Sequence, residues 1–234
     1  MAFHYSPKVV TNGLVFSLDA INPKSFYSGS TIWTDTAHGN LVNVYGNPIS
    51  DGNSYNFSGV SQYVGTNISD LNLFNEGTIE IWTKITTFDG NYFNLIAKGA
   101  YAGWDTDGWS IETWPTGDIL GFISNIGGGI SKNVTFGSSS GLSGVTHQFV
   151  LKWSRTNLTS YRDGNIIQIN NFTDCQPVGN NIINYKFTLS TWYLFSYGGN
   201  FAQSVGFVRG YNRALTDNEV KQNYIGFKSR FGIV

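Results

Sequence analysis

The sequence predicts an all-β antiparallel sandwich closed by one C-terminal helix, and three observations carry that prediction. Short runs of alternating apolar and polar residues recur along the chain, separated by loops rich in Gly, Ser and Asn. Between two such runs, Asp163-Gly164 is a dipeptide that accepts the positive φ of a two-residue hairpin turn. The tail, residues 206–232, reads as strand, tight turn and capped amphipathic helix.

In chain order, residues 1–12 read as an arm, because Pro7 limits local pairing and the segment precedes the first strand, at 14–18. Such an arm either ties a subunit to its neighbour or frays as a terminus. In TIEIWTKI, residues 78–85, Ile79, Ile81 and Ile85 share the core face, and Glu80, Trp82 and Lys84 share the other. Strands are expected next at 92–97 and 118–124. Residues 147–153 set His147, Phe149, Leu151 and Trp153 against Gln148, Val150 and Lys152, which makes Trp153 a structural core residue. The hairpin at 157–169 follows, with Asp163 and Gly164 in turn roles, and then strands at 184–189 and 192–197. The glycine-rich stretches at 127–129 and 137–144 lack any phosphate-cradle pattern and read as sandwich loops.

The last strand alternates Val205, Phe207, Arg209 and Tyr211 with Gly206, Val208 and Gly210. The helix is expected at about 217–227. Thr216 is placed to accept from the N–H three residues on, Glu219 to reach back, and Leu215 to pack on Val220. An all-β chain of 234 residues is commonly one unit, so residues 13–234 are expected to form a single domain. It should bury roughly 70% of its unfolded surface, enough for a core without disulfides or metal.

Composition excludes several functions. Charged residues make up 12% and the net charge is −1, with 14 Lys and Arg scattered against 15 Asp and Glu. Nucleic-acid binding needs a basic patch to displace counterions, and none is present. Cys175 is the single cysteine, so neither an intrachain disulfide nor a cysteine-built zinc site can form. The N-terminal MAFHYSPKVV carries no apolar segment after a basic stretch, and no run is long enough to span a bilayer, which predicts folding in the cytoplasm without membrane insertion. A surface of Ser, Thr, Asn, Gly and Tyr suits sugars or neighbouring subunits.

The segments GLVFSLDAINPKSF (13–26), STIWTD (30–35), YNFSGVSQYV (55–64) and the tail YNRALT-xxEVxQNY resemble the LamG-like, concanavalin A-like jelly-roll domains of tailed-bacteriophage virion proteins, including those of phages of marine bacteria. The resemblance runs over nearly the whole chain. It implies a concanavalin A-type jelly roll acting as a non-enzymatic structural or accessory virion protein: capsid decoration, vertex protrusion or fibre component. Its partners would be other virion proteins and further copies of itself in a homo-oligomer, because appendages gain avidity from multiplicity. Asp19 and Arg213 sit in the two signature segments and are expected to pair, tying the first strand to the tail.

A glycoside hydrolase needs two carboxylates across the scissile bond. Sandwich glucanases present an E-x-D-x-x-E strand, whereas IEIWTK carries Glu80 alone, and the three histidines, His4, His38 and His147, have no nucleophile elbow beside them. No catalytic residue is assigned. The segment AGWDTDGWSIETW (102–114) gathers Trp104, Trp109 and Trp114 with Asp105, Asp107 and Glu112. Indole faces stack on sugar rings and carboxylates bind hydroxyls or calcium, so this segment is the candidate for host-glycan binding, the alternative function. Asp105 and Asp107 resemble the start of a calcium loop without its remaining ligands, and related LamG and pentraxin-like sandwiches use calcium at loop edges. The competing reading makes Asp107-Gly108 a turn, with Trp109 starting a strand and packing inward.

Overall fold

The computed structural model describes residues 8–26, 29–58, 62–88, 90–99, 106–191 and 202–233. The expected strand at 192–197 and residues 1–7 of the arm lie outside them. The fold is a two-sheet antiparallel β-sandwich with one C-terminal helix, as the alternation predicts. Its strands are β1 Leu14–Asp19, β2 Ile32–Thr34, β3 Leu41–Tyr45, β4 Ile49–Ser50, β5 Tyr55–Phe57, β6 Tyr63–Thr66, β7 Gly77–Thr87 and β8 Phe93–Lys98. They continue with β9 Gly108–Thr113, β10 Asp118–Asn125, β11 Ile130–Ser138, β12 Thr146–Trp153, β13 Asn157–Arg162, β14 Asn165–Asn171, β15 Phe187–Thr191 and β16 Ala202–Tyr211. A one-turn helix α1 covers Ser139–Leu142, inside a stretch expected to be loop, and α2 covers Asp217–Phe227.

The first sheet runs β14-β13-β12-β7-β16-β5-β4, with β1 also on β16; the second runs β11-β10-β9-β8-β15-β6-β3-β2. Between them lies a core that includes Ile79, Ile81, Ile85, Phe149, Leu151 and Trp153 from the predicted inward faces. The β13–β14 hairpin turns at Asp163 (φ 52°) and Gly164 (φ 72°), the pair of positive φ values that a two-residue turn requires. Asp163 does more than turn the chain, since its carboxylate accepts the Gln148 N–H at 3.0 Å and meets His147 Nδ1 at 2.7 Å.

The first sheet's second face is covered by the tail. Trp82, on the face opposite the isoleucines, is fully buried beneath Tyr224 and Phe231, its ring stacked on theirs at centroid distances of 5.7 and 4.9 Å. Gly206 lets the Phe231 ring lie directly on the β16 backbone, where a Cβ would stand 2.4 Å from it. Glu80, 1% exposed, accepts from Trp82 Nε1 and Gln148 Nε2, each at 2.8 Å, and from Asn223 Nδ2 at 3.0 Å. Asn223 Oδ1 in turn accepts the Val10 N–H at 3.0 Å, and Tyr211 donates to the Val10 carbonyl at 3.2 Å. Residues 8–12 of the expected arm therefore dock on this chain's own tail, with Gln222 also donating to the Lys8 carbonyl.

Helix α2 starts as its sequence dictates. Thr216 accepts from the Glu219 N–H and the Glu219 carboxylate accepts from the Thr216 N–H, while Leu215 and Val220 share one small apolar cluster. The expected Asp19–Arg213 pair does not form. Arg213 pairs bidentately with Glu219 at 2.6 and 2.8 Å and donates to the Asn12 carbonyl, whereas Asp19 pairs with Arg230. Register is the reason: Leu14 faces Tyr211 and Asp19 faces Phe207, so Asp19 and Arg213 stand at opposite ends of β1.

Candidate functional site

Of the five residues singled out as ligand candidates, Trp104 and Asp105 lie outside the described residues. Asp107 and Trp109 turn inward. Asp107 is 3% exposed and each carboxylate oxygen accepts a backbone N–H, Ile126 at 2.7 Å and Asn181 at 3.0 Å. It clamps the start of β9 to the β10–β11 turn and to the segment before β15. Each oxygen is thus engaged within the fold, which fixes the carboxylate in place. Among the described residues no three His, Cys, Asp or Glu side chains converge as a metal site. Trp109 is fully buried in the core, 6.3 Å from Trp153 between ring centroids, with its indole N–H donating to the Leu71 carbonyl.

Trp114 is placed differently. It directly follows β9, half-buried, with its ring stacked on Phe122 at 5.7 Å and Tyr92 edge-on at 5.2 Å. Its Nε1 donates to Glu112 Oε1 at 2.8 Å, which fixes the plane of the ring. Glu112 is itself 2% exposed on the outer face of the second sheet, alternating with Trp109 and Ile111 on the inner face.

The turn after Trp114 forms one wall of a cleft. Gly117 N–H donates to the Trp114 carbonyl at 2.7 Å, Pro115 fits the first central position of this turn, and Gly117 takes φ +85°. The other walls are Thr86 at the end of β7 with Phe88 just beyond it, and the β11–α1 segment with Ser138, Ser139, Ser140 and, after α1, Ser143. The cleft is open to solvent, with a volume of about 330 Å³. Two backbone bonds lock the walls together: Ser139 N–H to the Gly117 carbonyl at 2.6 Å and Gly144 N–H to the Ile85 carbonyl at 2.7 Å. Among the described residues no side chain of the lining carries a formal charge. Sequence reasoning passed over this site because GSSSGLSG reads as a plain loop; the available signal was its density of hydroxyls.

The chain matches no protein-family model and no curated protein sequence. Solved structures match its fold. Trypanosoma rangeli sialidase in complex with sialic acid aligns at a TM-score of 0.68 and 16% identity, over 95% of this chain and 34% of the sialidase. The receptor binding domain of botulinum neurotoxin C/D mosaic serotype aligns at 0.66 and 13%, over 92% of this chain and 51% of that one. The binding domain of Paraclostridial Mosquitocidal Protein 1 aligns at 0.70 and 16%, over 91% and 52%. The chain thus spans about a third of the sialidase and about half of each toxin binding domain. The architecture is a concanavalin A-like jelly roll, and at these identities the likeness is one of fold.

Proposed function

We propose that this chain is a non-enzymatic recognition module of a bacteriophage particle, present in several copies, that engages carbohydrate on the host surface. The carrying observation is the hydroxyl-lined cleft, none of whose described lining residues carries a formal charge. Such a surface offers stacking and short-range hydrogen bonds, the means by which polar uncharged ligands are held. Toxin receptor-binding domains and a sialidase that holds sialic acid share the sandwich, which supports a recognition role. Assignment to a virion rests on the likeness of the 13–26, 30–35, 55–64 and tail segments to phage LamG-like proteins.

The non-enzymatic part rests on carboxylate placement. Glu80 is sealed under α2, and Glu112 lies on the outer face of the other sheet. With stacked sheets about 10 Å apart and both side chains directed outward, they cannot flank one glycosidic bond, which needs about 5–9.5 Å. The test pairs two measurements. Purified protein should be retained on immobilised host-surface polysaccharide and release no reducing sugar from it, and mass spectrometry of purified particles should find the chain at a fixed ratio to the major capsid protein. Absence from particles overturns the virion assignment, no retention overturns carbohydrate recognition, and sugar release overturns the non-enzymatic reading.

A further inference from the structure

We infer that the cleft formed by Thr86, Phe88, Thr116, Gly117 and the Ser138–Ser143 turn is a subsite for a neutral pyranose and excludes acidic sugars; the inference rests on the carbohydrate reading above. Its volume, about 330 Å³, falls at the small end of ligand sites, which run from about 300 to 1,000 Å³, and suits one or two sugar rings. Its floor is open because of one residue. A Cβ at Gly117 would stand 3.6 Å from Ser139 Oγ, 3.8 Å from Ser138 Oγ and 4.0 Å from the Phe88 ring, so a side chain there would occupy the space between them.

The lining matches the two surfaces of a pyranose. Hydroxyls donate and accept at once, as vicinal sugar hydroxyls require, and the cleft offers them from Thr86, Thr116, Ser138, Ser140 and Ser143, with the buried Ser139 beneath. Three are pre-oriented, with Ser138 Oγ and Ser140 Oγ 2.9 Å apart and Thr116 Oγ1 donating to Asp118 Oδ2 at 2.7 Å. The Phe88 ring and Pro115 supply an apolar wall for the C–H face of the sugar.

Exclusion of acidic sugars follows from charge. A uronate or sialate carboxylate entering the cleft would shed water without gaining a cation, and would meet the negative charge of Asp118 behind Thr116. Arg162, behind Gly137, spends its Nη1 on the Phe136 carbonyl at 2.6 Å.

Saturation-transfer NMR with methyl glucoside, methyl galactoside and N-acetylglucosamine, set against glucuronate and sialyllactose, tests this. Neutral sugars should saturate and acidic ones should not. Ser140→Trp, an exposed position whose indole fills the cleft, should abolish the signal and also retention on polysaccharide. Thr116→Val should weaken binding roughly tenfold by deleting one hydroxyl. Ile169→Thr, on exposed β14, is the control that keeps binding, and melting curves verify folding of each variant. Acidic sugars binding as well as neutral ones, or polysaccharide retention untouched by both cleft variants, would overturn the inference while leaving carbohydrate recognition standing. Loss of retention in the wild-type chain would instead sink the underlying reading.

Discussion

Lys98, on β8, is fully buried, and among the described residues its ammonium meets neutral partners: Asn67 Oδ1 at 3.1 Å and the Tyr185 carbonyl at 2.8 Å. Burial lowers its pKa from 10.5 to about 8. Between those values the unfolded chain binds the proton that the folded chain has released, so stability rises with pH across that window. Tyrosines act with the opposite sign: burial raises Tyr55 to about 12 and Tyr161 and Tyr211 further, so above pH about 10 the folded state keeps protons that unfolded tyrosines lose. The lysine therefore dominates from about pH 8 to 9.5. Urea midpoints of the wild type should climb across that range and those of Lys98→Met should stay level; a level wild-type profile would show the amine to be as well solvated folded as unfolded. Asp107 yields a second prediction. Asp107→Ala removes the acceptor of two part-buried backbone N–H bonds and should cost about 1–2 kcal/mol by urea denaturation, equally in calcium and in chelator. A calcium-dependent cost would make it a metal ligand after all.

Elements show where sequence reading succeeds and where it stops. Thr216→Ala removes an N-cap oxygen and should cost about 1 kcal/mol, a fall of about 2–4 °C in melting temperature for a chain of this size. The Arg213 guanidinium holds the Glu219 carboxyl at about 2, down from 4.5, so this pairing stabilises fully above pH 4.5 and is lost as pH falls toward 2. Melts of Glu219→Gln should lie well below wild type at pH 6 and converge with it near pH 2; equal melting at pH 6 would remove the ion pair from the stability of the tail. Caps and the Asp163-Gly164 hairpin were legible because their chemistry is local. Alternation in β7 told which side chains share a face but not what covers it, so Trp82 and Glu80 could not be seen as buried until α2 was laid over them. The Asp19–Arg213 expectation failed for the same kind of reason, since register is set by pairing residues about two hundred positions apart. Strand β11 escaped notice because only Val134 and Phe136 of its nine residues are buried apolar ones. Its edge is closed by side chains: Gln168 accepts the Thr135 N–H at 2.6 Å and Asn170 donates to the Asn133 carbonyl at 3.0 Å. Those caps satisfy groups that would otherwise recruit another strand.

For the molecule as a whole, the decisive property is how little charge it carries. Its 14 cationic and 15 acidic side chains give a net −1, and many are already spent within the fold: Arg213 on Glu219, Arg230 on Asp19, Arg209 beside Glu80, Lys152 on Asp217 and Arg155 on Asp174. Little field is left to steer a ligand from beyond a Debye length, about 8–10 Å in ordinary salt. Recognition must then rest on contact: hydroxyls, ring faces and shape. Retention on host polysaccharide should therefore change less than about twofold between 50 and 500 mM NaCl, whereas binding built on several charge contacts falls by orders of magnitude over a smaller interval. Biolayer interferometry across that salt series measures it directly. A flat profile agrees with a neutral cleft. A steep one would assign recognition to charged groups and take it away from the Ser138–Ser143 turn, because no cation in that lining could produce it.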